Sequence, residues 1–200
     1  MTQQVDDILE KIQALEQELE VEFAKARAGL SYGLEHGKAR FEEEVKRRHE
    51  ALRKGLGKYL AGASPLVVLT APVIYSLIIP FVVMDLWVSA YQAICFRVYG
   101  IPRVRRSRYI VFDRSGLAYL NIIEKLNCAY CSYGNGVAAY TREVAARTEQ
   151  YWCPIKHARR VLGAHDRYVH FSEYGDGEHY ADELKQARER LRNLDDKAPD

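Results

Sequence analysis

Three of the chain's four cysteines and one of its histidines fall in a stretch whose spacing suits a metal ion. Cys128 and Cys131 make a C-x-x-C knuckle, and Cys153 and His157 make a C-x3-H pair. Thiolate and imidazole are the preferred ligands of zinc, and three cysteines with one histidine form a known closed structural set. The spacing therefore predicts a single zinc ion held by Cys128, Cys131, Cys153 and His157, with its binding free energy contributing to folding. The same donors can hold iron or a [2Fe–2S] cluster. Two other readings of the thiols stay open. The knuckle is a redox dithiol if it faces an oxidising compartment, or the cysteines are small buried apolar residues with His157 on the surface.

Ligands so spaced need a scaffold that brings the distant pair back. Leu117, Leu120, Ile123 and Leu126 recur every three residues and predict a helix ending at the knuckle, with Asp113 or Ser115 as its N-cap. Tyr133-Gly134-Asn135-Gly136 reads as a turn, since glycine and asparagine accept positive φ cheaply. A second helix is expected from Val137 to about Trp152. Pro154 suits the first turn of a third, running to about Leu162, which places Cys153 and His157 on one face. The Cys153–His157 pair is similar to the C-x3-H pair of the small membrane-tethered [2Fe–2S] proteins of the CDGSH type. That resemblance covers the pair alone, because the first pair here is C-x-x-C and no Asp-Gly-Ser core is present, so no function follows from it.

Beside these ligands, Glu143 and Arg147 are spaced as an i,i+4 ion pair. Glu124, Glu149, His165, His170 and His179 make no repeated Glu-x-x-His pattern of the di-iron kind. Lys156 is read as a solvated lysine. No phosphate-cradling loop, nucleophile elbow or dinucleotide fingerprint is found, and no catalytic residue is assigned.

Upstream lies the most uneven part of the composition. Pro65–Phe96 carries one formal charge, Asp85, and its first twenty residues carry none, which meets the length of a membrane span. One helix over that range would be about 48 Å long, against a hydrocarbon core of about 30 Å. Pro72 and Pro80 are poor interior helix residues. Basic residues stand on both sides, with Lys46, Arg47, Arg48, Arg53, Lys54 and Lys58 before and Arg97, Arg103, Arg105, Arg106 and Arg108 after. Positive charge marks the cytoplasmic face, so the expectation is a re-entrant hairpin bending near Pro80. A single span, Pro65–Met84, followed by an interfacial helix is the second arrangement, and a buried core pair in a soluble protein the third. Asp85 at depth requires a partner, a proton or a polar pocket.

The N-terminal segment is periodic. Val5, Ile8, Ile12, Leu15 and Leu19 alternate in steps of three and four, a heptad seam. Phe41, Val45, Leu52, Leu56 and Tyr59 resume the pattern after Gly29, Gly33 and Gly37. These residues predict one long helix, or two broken near Gly33–Gly37. The helix either pairs as a coiled coil or folds back on its own chain. The last thirty residues read as a charged helix, Glu178–Leu194, and a disordered tail.

The net charge of +2 excludes a nucleic-acid partner as the default. No signal peptide is visible at the polar, acidic start, so the N-terminus is expected in the cytoplasm. The fold expectation is mostly α in four parts: 1–60 amphipathic helix or coiled coil, 61–100 membrane-associated segment, 101–172 Cys3His metal module, 173–200 charged helix and tail. The functional expectation is a non-enzymatic, membrane-associated zinc scaffold or assembly protein. It would contact lipid and self-associate, or bind a protein partner, through its N-terminal helix. The C-terminal module is expected on the cytoplasmic side. The rival is a membrane redox protein using iron, an iron–sulfur site or the C-x-x-C dithiol, and a conduction path through Asp85 is the third reading.

Overall fold

The protein is represented by a computed structural model that describes residues 3–28, 32–35, 38–41 and 43–194, and those residues are mostly helical. The chain divides into two compact units, one built from 1–55 with 116–121 and the other from 56–115 with 122–200.

In the first unit, α1 (Gln3–Ala28) carries the predicted seam, and Ile8, Ile12, Leu15 and Leu19 are 45–64% exposed. Val5 and the tail 195–200 bear expectations that lie outside the described side chains and residues. The glycine-rich break is no simple interruption of helix. Tyr32–Glu35 (β1) and Lys38–Phe41 (β2) pair antiparallel, with Tyr32 opposite Phe41 and Glu35 opposite Lys38. The expected second helix is also shorter. It forms as α2 (Glu43–Ala51), whose acidic first turn and basic last turn match the helix dipole. The chain then leaves the helix before Gly55. The His49 ring packs edge-on against Tyr119, 5.3 Å between centroids.

The second unit is organised on one long helical run. After α3 (Leu56–Ala61) come α4 (Pro65–Ser76) and α5 (Ile78–Tyr91), a π-helical turn at Gln92–Phe96, and α6 (Arg97–Tyr99). The hairpin expected near Pro80 is not formed. Leu77, between α4 and α5, keeps right-handed helical angles (φ −63°, ψ −13°), so the helical run continues through it. Pro80 is the third residue of α5, where a backbone N–H would have no partner four residues back within that helix. Gly100, at φ +67°, ends the run in the left-handed conformation that glycine adopts without strain.

From Ile101 the chain turns back as an extended strap. Val104 meets Gln92, Arg106 meets Asp85, and Phe112 lines one cavity with Tyr75 and Ile78, so the strap descends as the helix rises. Then α7 (Ile122–Trp152) climbs again beside the long run. Tyr75 touches Asn127 and Tyr130, Ser89 bonds Tyr140, Tyr91 bonds Thr148, and Tyr99 stacks on Tyr151. Partners rise together, so the two helices are parallel with the strap returning along them. Phe96, Ile101, Val104, Tyr140, Val144 and Leu191 form the core, the last supplied by α8 (Tyr180–Arg192). That helix lies inside the predicted Glu178–Leu194.

The predicted helical hairpin around Gly134-Asn135-Gly136 is replaced by the uninterrupted α7. Both glycines are there for close packing. A Cβ on Gly134 would lie 2.9 Å from the Phe81 ring, and one on Gly136 would lie 2.6 Å from the Tyr109 carbonyl oxygen. The third helix does not form either. Pro154 is buried just beyond α7 and stops it, and Ile155 pairs instead with Ser172 in a short parallel bridge.

Candidate functional site

The helical hairpin was the device meant to join the two ligand pairs, and α7 removes it. Cys128 and Cys131 sit one turn apart near its start, whereas Cys153 lies just past its end. The twenty-two residues from Cys131 to Cys153 correspond to about 33 Å of helix rise, while donors to one zinc ion lie only about 2.0–2.3 Å from it. Cys128, Cys131, Cys153 and His157 therefore do not close on one ion within the chain. Among the described residues, no group of three or more His, Cys, Asp and Glu is placed to hold a metal. Neither the zinc nor the iron reading has a complete ligand set, and no chemical step is assigned to either.

Each of these residues has other surroundings. All the cysteines are free thiols, with Cys128 half-buried and Cys131 and Cys153 exposed. Cys153 lines an apolar groove of about 500 Å³ between α5 and α7, with Val88, Tyr91, Val144 and Trp152. His157 stacks on Tyr168, and its backbone N–H donates to the Tyr168 hydroxyl. Lys156, expected in solvent, reaches Glu173 at 2.5 Å and is mostly buried.

The concentrated polar chemistry lies elsewhere, at the one acid of the apolar helix. Asp85 is buried in α5 and held by Arg106 from the strap. Arg106 Nε donates to Oδ1 at 2.8 Å and Nη2 donates to Oδ2 at 2.6 Å, a two-pronged grip matched to carboxylate geometry. The Tyr133 hydroxyl of α7 donates to Oδ2 at 2.9 Å. One carboxylate thus ties α5, strap and α7 together. About two turns higher, the Gln92 amide does similar work. Its oxygen accepts from Val104 N–H at 2.9 Å and its nitrogen donates to the Val104 carbonyl at 3.2 Å. The side chain thereby acts as a strand edge for the strap, on a π-helical turn that re-aims it. Sequence reasoning used Arg106 only as a marker of sidedness. The signal that pairs it with Asp85 was the lone acid in an apolar run, which had to find a cation.

A second tie sits on the upper half of α7. The predicted Glu143–Arg147 pair forms at 2.8 Å, and Arg167 adds a contact of 2.5 Å to the same carboxylate oxygen. Arg147 also donates to the Pro102 carbonyl of the strap at 2.7 Å, and Arg167 to Gln150 at 3.2 Å. Gln150 continues the chain to the Ala187 carbonyl in α8. Burial pushes the Glu143 carboxyl up, but the hydrogen bonds and charges of Arg167 and Arg147 outweigh it and hold it below the usual carboxylate range. Nearby, His165 Nε2 and Glu149 Oε2 stand 2.9 Å apart.

Comparison with known proteins gives no match: no family model, no curated protein and no solved structure. Pro65–Tyr99 is a single helix long and apolar enough, by length and composition, to cross a membrane.

Proposed function

We propose that this protein is a non-enzymatic, membrane-attached helical scaffold. The observation that carries the reading is the bare apolar run: α4 buries none of its residues, and its mean hydropathy belongs with lipid rather than water. A helix uncharged all round and uncovered by protein is stable only against an apolar surrounding. The ionic groups support a scaffold role, because Asp85 and Glu143 are each consumed in ties between elements. The exposed seam of α1 supplies the contact through which copies or a partner assemble, and the basic flanks favour a cytoplasmic N-terminal part.

The test is fractionation combined with crosslinking of the full chain. The wild type is expected in the membrane pellet as crosslinked oligomers. A double substitution in α1, Ile12→Glu with Leu15→Glu, is expected to abolish the crosslinks and leave the pelleting intact. Wild-type protein that stays in the soluble fraction sinks the membrane reading, and crosslinks that survive the substitutions sink the assembly role of α1.

A further inference from the structure

We infer that the long helix is embedded lengthwise in one leaflet of a phospholipid bilayer, along an uncharged stripe that faces away from α7, and does not cross the membrane. The inference rests on the membrane attachment proposed above and specifies how it is made.

The stripe is read from the helix itself. Leu69, Val73, Val83, Trp87, Ile94 and Val98 are all exposed, with Leu69 at 74%, Trp87 at 77% and Val98 at 76%. Ser76, Pro80 and Ala90, also exposed, complete an unbroken series in steps of three and four residues. The residues on the side of the strap and α7 (Tyr75, Ile78, Phe81, Asp85, Ser89, Gln92, Phe96) follow the same steps on the other side. Asp85 and Trp87 are two residues apart, about 200° round the helix. From Leu69 to Val98 the stripe is about 44 Å long, and no charged residue lies in it.

Crossing the bilayer fails on what accompanies the helix. A span takes about 20 residues, and each choice of window drags charge into the hydrocarbon. Centred near Tyr75, the window lies beside Asn127 and Phe112, so Glu124 and Lys125 of α7 and Asp113 and Arg114 of the strap come to its depth. Centred near Ser89, it lies beside Val104 and Arg106, bringing in the exposed Arg103, Arg105 and Arg108 as well as Arg97. A charge at the bilayer centre costs about 2.5–3.5 kcal/mol by insertion scales, and either window carries several. Laid lengthwise, the stripe sinks about 5–10 Å into the boundary of headgroups and chains. The strap and α7 then remain on the water side, and the 35-residue length meets no thickness limit. This arrangement keeps both basic flanks on one side of the membrane, as their charge demands. Lipid is favoured over a second copy because exposed apolar side chains of α4, Leu66, Val67 and Val68, widen the stripe beyond the narrow seam that a helix pair covers.

The experiment uses the full chain reconstituted into phosphatidylcholine vesicles, read by flotation, protease access and tryptophan quenching. The wild type should float, and protease added outside should cut at both ends of the chain in protein bound from outside. Single tryptophans are then placed along the stripe as Leu69→Trp, Val83→Trp and Ile94→Trp, each with Trp87→Phe and Trp152→Phe. Lipids brominated near the headgroup should quench all three at least twice as strongly as lipids brominated near the chain ends. Strong deep quenching at one position with none at another, or a terminus sheltered from protease in the wild type, means crossing and overturns the inference while membrane attachment stands. Failure of the wild type to float overturns both.

Discussion

Helices α4 and α5 continue one another with nearly the same apolar composition, and they meet opposite fates. All of α4 is exposed or half-exposed, whereas α5 buries its aspartate within a half-buried face of Ile78, Phe81, Met84, Val88, Ser89 and Tyr91. Hydropathy does not separate them. Polar groups do: from Asp85 upward the helix offers Asp85, Ser89 and Gln92 at steps of four and three. Each finds a designated partner in Arg106, Tyr140 or Val104. In α4, Thr70 and Ser76 hydrogen-bond to carbonyls of their own helix, and the bonds to α7 come at its very end, from Tyr75 to Asn127 and from Tyr130 to the Ile74 carbonyl. Apolar surface makes the helix adhesive, and a few paired polar side chains decide what it adheres to.

That contrast is open to attack at several points. The largest effect is expected at the closest approach. Gly136→Ala would put a methyl 2.6 Å from the Tyr109 oxygen and 3.0 Å from the Ile110 Cα, both backbone atoms of the strap. A loss of about 3 kcal/mol or more in thermal unfolding is expected. Gly57→Ala in α3, with nothing within 4 Å, should be neutral or gain up to about 1 kcal/mol. Equal losses at the two sites would remove the packing account of the helical glycines.

Next comes Arg106→Ala, which leaves Asp85 buried without its cation. A buried pair broken from one side costs about 3–5 kcal/mol. Because Arg106 is half-exposed, the lower end, about 3 kcal/mol, is expected, with new protease cleavage in 101–115. An unchanged cleavage pattern would mean that the strap is held without the clamp.

Glu143→Gln should cost about 2 kcal/mol, and it carries a pH signature. A carboxyl held below its unfolded value contributes stability that is complete above the ordinary glutamate value of about 4.5 and is lost as pH falls through the lower folded value. Acid titration of unfolding should therefore show a slope in the wild type that the variant lacks. The smallest effect is expected at Val73→Ala, on the bare surface of α4. Unfolding in detergent should shift by less than about 0.5 kcal/mol, and a core-sized loss would show that α4 is covered after all.

The mostly helical class was legible from periodicity, and α8, the Glu143–Arg147 pair and the long apolar run were all readable by spacing. Long-range pairings were not. Gly134-Asn135-Gly136 has the composition of a turn, yet its glycines answer to Phe81 and Tyr109, about fifty and twenty-five residues away in sequence. Glycine is chosen equally for positive φ and for close approach, and local sequence does not say which. Cys128 and Cys131 suffer the same ambiguity, since C-x-x-C on a helix is simply two residues one turn apart. Pro80 misled for a related reason: a proline that breaks a helix interior is harmless in a first turn, and only the helix boundary distinguishes the two.

The strap lying along two parallel helices also sets an order of events. Gln92 and Val104 are twelve residues apart and Asp85 and Arg106 twenty-one, whereas Ser89 and Tyr140 are separated by fifty-one. Closing the longest of these loops instead of the shortest spans about two doublings of length, or roughly 1.2 kcal/mol of chain entropy. A growing chain can therefore lay the strap against α5 at the lower entropic cost before α7 exists. The late helix then arrives at a surface already assembled, and the clamp that looks like a fastening in the finished molecule serves earlier as its template.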